Sequence, residues 1–201
     1  MVELLAGEYP VAVCELDYRT PWELLVATVL SAQCTDERVN RVTPSVFERW
    51  PGPAELAAAP LAELETAVKS AGLFRSKAKN LRKSARQVMA DHGGEVPDDL
   101  GSLVELPGVG KKTAKVVLGE AFGIAAGIAV DTHVRRLAGR IGLSAETDPE
   151  RVARDLEREV PREDWIDVSK RLVLHGRRVC KARGPGCDGC VVAPVCRRLG
   201  L

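Results

Sequence analysis

The chain has 201 residues, enough for one ordinary domain or two small ones sharing a core, and too few for a multi-domain machine. Hydrophobic residues make up 45% and charged residues 28%, which excludes a disordered polyelectrolyte, and the 18 Gly and 12 Pro follow no collagen-like period. With 29 Lys and Arg against 28 Asp and Glu the net charge is +1, so a nucleic-acid surface requires local segregation of charge.

Residues 1–10 carry an acid at Glu3 and lack a basic segment followed by a sustained apolar run, a pattern that argues against a secretory signal. The longest apolar candidate, residues 123–130, is far short of the ~18 residues a membrane helix needs and reads as a buried connection. The expected location is the cytoplasm, with no membrane partner. Aromatic residues are only 4%, and no segment alternates with the period of a strand, so the fold class expected is all-α.

In chain order, Thr20-Pro21-Trp22-Glu23 combines a capping hydroxyl, Pro in the first turn and Glu three residues after the cap, and opens a mostly buried helix over residues 24–30. Thr35 caps a second helix with Val39, Val42, Val46 and Phe47 at helical spacing, which Pro44 either kinks or divides. Pro51-Gly52-Pro53 breaks the chain before short helices over 54–59 and 61–70. From Ser76 an amphipathic helix places Ala78, Leu81, Ala85, Val88 and Met89 on one face and Lys77, Lys79, Arg82, Lys83 and Arg86 largely elsewhere, until Gly93-Gly94 stops it. A short helix over 97–105 leads to a Gly-rich hairpin and a helix from Lys111 towards Ala121. Three more helices are expected at 132–141, 149–160 and 163–176, with Asp148-Pro149 and Pro161 as boundaries. Two acid-free basic runs stand out, residues 76–86 and residues 170–183; the second contains Lys170, Arg171, Arg177, Arg178, Lys181 and Arg183. Each suits a solvated helix face, and together with a phosphate-binding turn they suggest a nucleic-acid surface.

Four of the six cysteines, Cys180, Cys187, Cys190 and Cys196, fall within 17 residues. A chain of this size without a signal has little need of disulfide staples. Four thiolates suit tetrahedral zinc, although zinc sites more often use two close Cys pairs, and they are equally the ligand set of a [4Fe-4S] cluster. The segment Leu106-Pro107-Gly108-Val109-Gly110-Lys111-Lys112-Thr113-Ala114 looks like a helix-hairpin-helix motif. Gly108 and Gly110 permit a tight turn whose amides converge on a phosphate, reinforced by the start of the following helix and by Lys111. It lacks the spacing of a P-loop. Asp131, in Val130-Asp131-Thr132-His133, stands at the mouth of the next helix, where an N-cap is the commonest role for Asp. Lys112 reads either as a solvated lysine or as an amine nucleophile, which needs a neighbouring group or burial to supply its neutral form.

Taken together, Leu30-Ser31-Ala32-Gln33-Cys34-Thr35-Asp36, Gly72-Leu73-Phe74-Arg75-Ser76-Lys77-Ala78, the hairpin, residues 130–133 and 174–177, and the four clustered cysteines in this order resemble the endonuclease III family of DNA repair glycosylases. The resemblance spans the whole chain. It implies two helical domains flanking a DNA-binding cleft: a six-helix domain over residues 14–124 bearing the hairpin, and a discontinuous one over residues 1–13 and 125–201 bearing a [4Fe-4S] cluster on the four cysteines. It further implies Lys112 as nucleophile and Asp131 as its carboxylate partner, with Gln33 filling the gap left by an extruded nucleotide and Leu73 wedging from the opposite side. His133 falls near the lesion pocket, and Arg178 and Lys181 on the DNA backbone. The implied activity is that of a bifunctional glycosylase and apurinic/apyrimidinic lyase, a monomer acting on oxidised pyrimidines in damaged double-stranded DNA at the bacterial nucleoid. Cys34, where a small or hydroxyl residue is usual, Lys115, where the best-known bacterial member has Asn, and one extra residue between Lys112 and Asp131 depart from the family pattern and bear on the shape of the pocket. The competing readings are a monofunctional or mismatch-directed member of the superfamily, in which water attacks, and a non-catalytic DNA-binding factor, which leaves Lys112, Asp131, Gln33 and Leu73 unexplained.

Overall fold

The computed structural model describes residues 1–201, and the fold is all-α. Eleven α-helices follow in order: α1 (Val2–Glu8), α2 (Pro21–Leu30), α3 (Asp36–Arg49), α4 (Pro53–Ala58), α5 (Leu61–Ala67), α6 (Phe74–Asp91), α7 (Leu100–Glu105), α8 (Lys111–Phe122), α9 (Thr132–Ile141), α10 (Pro149–Glu159) and α11 (Trp165–Arg178). No helix is long and apolar enough to cross a membrane. The chain divides into two compact units, Cys14–Ile124 and Met1–Val13 with Ala125–Leu201.

The first unit holds α2 to α8, seven helices rather than six, because Pro60 separates two pieces of one to two turns, α4 and α5. Helix α2 begins as its sequence dictates, with the Thr20 hydroxyl accepting the Glu23 amide and Pro21 in the first turn. The Glu23 carboxylate reaches one residue further back than a capping box requires, to the Arg19 amide at 2.7 Å, and pairs with the Arg19 guanidinium. Residues 22–30 are all buried, and the Thr28 hydroxyl donates to the Leu24 carbonyl. Helix α3 runs unbroken through Pro44. An interior proline costs ~3 kcal/mol or more, and burial of Val39, Val42, Val46 and Phe47 on both sides of it, at ~1.5–3 kcal/mol each, outweighs that.

Helix α6 packs against α2, α4 and α5, and α8 against α2 and α7. The buried stripe of α6 is Lys77, Ala78, Leu81, Ser84, Ala85 and Val88, which corrects the sequence expectation at two places: Lys77 lies inside, 5% exposed, and Met89 lies outside, 40% exposed. Lys77 is in phase with Leu81 and Val88, so the register of the helix carries the amine inward. The α6 terminus is closed by Gly93 and Gly94 at φ +60° and +91°, the Gly94 amide returning to the Val88 carbonyl.

The second unit brings together α1 and α9 to α11. Helices α9 and α1 pack on α11 around Leu5, Val134, Leu137, Ile141, Val152, Leu156, Val168 and Leu172. The apolar run before α9 is not helical. Its buried backbone is satisfied by side chains, the Ile128 amide donating to Glu157 Oε1 and the Ala129 amide to Ser169 Oγ. The basic run over 170–183 is not a single solvated face: Arg171 is buried, donating from Nε to the Tyr9 carbonyl and from Nη2 to Asp167 Oδ2, and Lys170 pairs with Asp167. Arg177, Arg178, Lys181 and Arg183 remain exposed.

Candidate functional site

The hairpin between α7 and α8 is held from below and open above. Leu106 and Val109 are buried, the Val109 amide closes the turn on the Leu106 carbonyl, and the Ser84 hydroxyl of α6 donates to the Pro107 carbonyl at 2.7 Å. Gly108 has φ +87°, and a Cβ there would stand 3.0 Å from Asn80, so both backbone and space require glycine. Gly110, the N-cap of α8, has φ −90°, and a Cβ there would meet nothing within 4 Å, so the space beside it is open. The α8 amides nearest the turn lack intrahelical acceptors and carry the positive end of the helix dipole. Lys111 and Lys112 occupy the first two helical positions, and consecutive side chains on a helix diverge by ~100°. Lys111 and Lys112 are both exposed.

Gln33 and Leu73, the two residues expected to enter the duplex, belong to the same unit as the hairpin and share an uncommon backbone state. Gln33 sits at φ +55° and Leu73 at φ +46°, in the left-handed region, where a non-glycine residue costs ~1–3 kcal/mol. Both side chains face solvent, Leu73 at 58% exposure.

In the other unit Asp131 is the N-cap of α9. Its Oδ1 accepts the His133 and Val134 amides, both at 2.8 Å. Both cap bonds fall on one oxygen, which leaves Oδ2 outside the cap. His133 is half-buried, its Nδ1 accepting from Arg136 Nη2 at 3.1 Å; the same guanidinium donates to the Gly176 and Cys180 carbonyls and so ties α9 to the end of α11. A Cβ on Gly176 would fall 2.8 Å from that of His133, so glycine permits the close approach. The Arg178 guanidinium lies 5.8 Å from the centroid of the Tyr9 ring, and the Lys181 carbonyl accepts from Arg140 Nη1, so each is anchored while its charge stays exposed.

Cys180, Cys187, Cys190 and Cys196 line one cavity of ≈ 20 Å³ whose remaining wall is largely apolar, including Leu137, Ile141, Val179 and Val192. None forms a disulfide, and no three His, Cys, Asp or Glu side chains close on a point that would hold a single ion. Burial pushes the Cys190 thiol up, a backbone bond at Val192 opposes this, and the charges of Cys180, Cys196 and Cys187 push it further up. Cys14 and Cys34 form no disulfide and lie outside this cavity.

Sequence reasoning missed two residues around the cavity. The wholly buried His175 places Nε2 3.2 Å from the Cys190 sulfur and Nδ1 3.1 Å from the Tyr9 hydroxyl, and burial holds its imidazole below the usual range. Arg140 Nη1 lies 3.4 Å from the Cys180 sulfur. The motif Leu174 to Arg177 contained His175, but only the fold shows what it faces.

Residues 26–162 match the family model of the HhH-GPD superfamily of base excision DNA repair proteins. The chain is 52% identical over 193 residues to endonuclease III of Synechocystis, covering 96% of this chain and 88% of that protein, and 49% identical over 197 residues to endonuclease III of Bacillus subtilis, covering 98% and 90%. Among solved structures it superposes with a TM-score of 0.93 on a trapped endonuclease III–DNA covalent intermediate, at 43% identity and covering 98% of this chain and 92% of that one. A thermostable thymine-DNA glycosylase follows at a TM-score of 0.88 and 26% identity, covering 98% and 94%. The chain belongs to the endonuclease III family of helix-hairpin-helix base excision repair glycosylases.

Proposed function

We propose that this enzyme removes oxidised pyrimidines from duplex DNA and then cleaves the strand, with Lys112 as the nucleophile and Asp131 as its carboxylate partner. The observation that carries the assignment is the place of Lys112, an exposed amine on the second residue of the helix that the phosphate-binding hairpin opens. Phosphate captured by the turn amides fixes the strand, and the extruded nucleotide is presented to an amine at a set distance along the same helix. The Lys112 Nζ attacks C1′, the glycosidic bond breaks and the base leaves with its electron pair. Asp131, whose Oδ1 is spent on the helix cap, offers Oδ2 to take a proton from the amine and to face the positive charge that develops on the sugar. Opening of the sugar ring gives an imine, loss of the C2′ proton expels the 3′ phosphate, and water releases the amine.

Gln33 fills the vacated place in the stack and Leu73 wedges from the opposite side, while Gly108, Gly110, Lys111, Arg178 and Lys181 hold backbone phosphates and His133 borders the lesion pocket. The four cysteines fit a [4Fe-4S] cluster: the donors are all thiols, they line one cavity, and His175 Nε2 and Arg140 Nη1 lie against two of the sulfurs. When bound, the cluster crosslinks residues 180–196 and thereby fixes Lys181. The enzyme works in the cytoplasm on the chromosome, in keeping with its bacterial relatives.

Borohydride reduction on abasic duplex DNA tests the mechanism, because only an amine that has formed an imine becomes covalently linked. Lys112→Gln is expected to bind damaged DNA yet give no adduct and no strand cleavage, and Lys111→Gln to give both at saturating enzyme. Trapping by folded Lys112→Gln overturns the assignment, and loss confined to Lys111→Gln moves it to the neighbour.

A further inference from the structure

Lys77 is the one lysine of α6 turned into the protein, and its surroundings are built for it. The Nζ donates to the Leu30 carbonyl and to the Ala71 carbonyl, both at 2.8 Å. Leu30 is the last residue of α2, and Ala71 is the last residue of the 3-10 turn Lys69–Ala71. Both carbonyls therefore end helical segments, where acceptors lack intrahelical partners and the dipole favours a cation. A third bond starts from the same residue: the Lys77 amide donates to the Leu73 carbonyl and opens α6. Burial pulls the amine below its usual range, and the neighbouring Cys34 opposes this. A desolvated ammonium is expensive to keep, and packing alone gives no reason for it.

The position of the two acceptors supplies a reason. Leu30 is three residues before Gln33 and Ala71 two before Leu73, and Gln33 and Leu73 are two of the three non-glycine residues in the chain with positive φ. A left-handed conformation at such residues persists only where the surroundings over-determine it. Gln33 is held locally by the Cys34 amide donating to the Ser31 carbonyl, and Leu73 by the α6 bond from Lys77, but neither bond sets one loop against the other. The Lys77 ammonium does, because it is shared between them.

We propose that Lys77 is a positioning residue for DNA opening: its ammonium clamps the α2–α3 loop to the loop before α6 and so holds Gln33 and Leu73 at a fixed separation, ready to enter the duplex together. This rests on the reading of Gln33 and Leu73 as the residues that open the duplex. Without the clamp the two tips move independently, the opening-competent arrangement is only fractionally populated, and apparent affinity for a paired lesion falls by that fraction. Loss of a charge-assisted bond, at roughly 1.5–3 kcal/mol, corresponds to about 10-fold to 160-fold.

The test has two arms. Without DNA, Lys77→Met is expected to speed hydrogen exchange of amides in residues 31–35 and 71–74 together, whereas Val88→Ala, a cavity on the same helix that bonds neither loop, lowers the melting temperature without that paired effect. With DNA, Lys77→Met is expected to lose about 10-fold or more in turnover of a paired lesion and less than about 2-fold in borohydride trapping on single-stranded abasic DNA, with Lys77→Arg restoring part of the difference. The loss is expected to be less than additive with that of Gln33→Ala. Lys77→Gln, which keeps a neutral donor on a shorter side chain, carries the same comparison if the methionine variant does not fold. Exchange that rises in one loop only, or equal losses on both substrates, overturns the clamp. Faster exchange in both loops with unchanged paired-lesion turnover keeps the clamp and refutes the duplex-opening role of the two tips.

Discussion

Asp131 caps α9 through one oxygen and is proposed to serve the amine through the other, and substitution separates the two roles. Its Oδ1 accepts two amides of α9 at 2.8 Å, so Asp131→Ala removes an N-cap, at ~0.5–2 kcal/mol. In a chain of 201 residues each kcal/mol moves the melting temperature by ~2–4 °C, which gives a fall of ~1–8 °C. Asp131→Asn keeps an oxygen for the same two amides and loses only the charge at the helix N-terminus, worth ~0.3–1 kcal/mol, so its fall is expected to be smaller. Turnover behaves otherwise. In the proposed mechanism both variants lack the carboxylate that faces the sugar cation and accepts the proton, and both are expected to fall by ~10²–10⁴ in single-turnover base release. Calorimetry and a single-turnover assay on one lesion-containing duplex measure the two effects. An asparagine variant that releases base within about 10-fold of the parent would refute the catalytic role and leave Asp131 a cap alone.

Three further outcomes are expected. Replacing Arg178 and Lys181 together with Ala should weaken damaged and undamaged duplex binding alike and reduce the slope of log affinity against log salt by ~1.8, from ~0.9 per lost phosphate contact; an unchanged slope places both away from the backbone. Gly108→Ala should lower the melting temperature, because it puts a Cβ in a φ +87° backbone 3.0 Å from Asn80, whereas Gly110→Ala should fold normally and lose DNA affinity; equal stability losses at the two glycines would contradict the open approach at Gly110. Protein prepared without oxygen should be brown and hold about four iron and four sulfide per chain, and Cys196→Ser should lose the colour; a colourless protein with one zinc rejects the cluster.

Local chemistry suffices for several features of the fold. Thr20 with Pro21, Thr35, Asp99 and Asp148 are caps in the structure because their side-chain oxygens reach the amide three residues on, a relation contained in a few consecutive residues. The hairpin was legible for the same reason, since Gly108 needs a backbone state that glycine alone adopts without cost. Local rules failed where distant packing outweighed them. Pro44 does not divide α3 because the apolar face on either side of it is buried, and Lys77 and Arg171 are not on solvated faces because backbone carbonyls far along the chain, at Leu30 and Tyr9, accept from them.

Helix α1 shows the same division. It is seven residues long with no side-chain cap, too short to hold itself in water, and it exists because Leu5 and Tyr9 pack on α11. The sequence by itself determined the helical class, the turns, the nucleophile candidate and the family, because these rest on short spacings and on motifs in a set order. Only the tertiary structure decided which lysine of α6 is buried and what His175 faces. Those depend on contacts between residues up to 166 positions apart, and no local pattern encodes which distant group a buried side chain will meet.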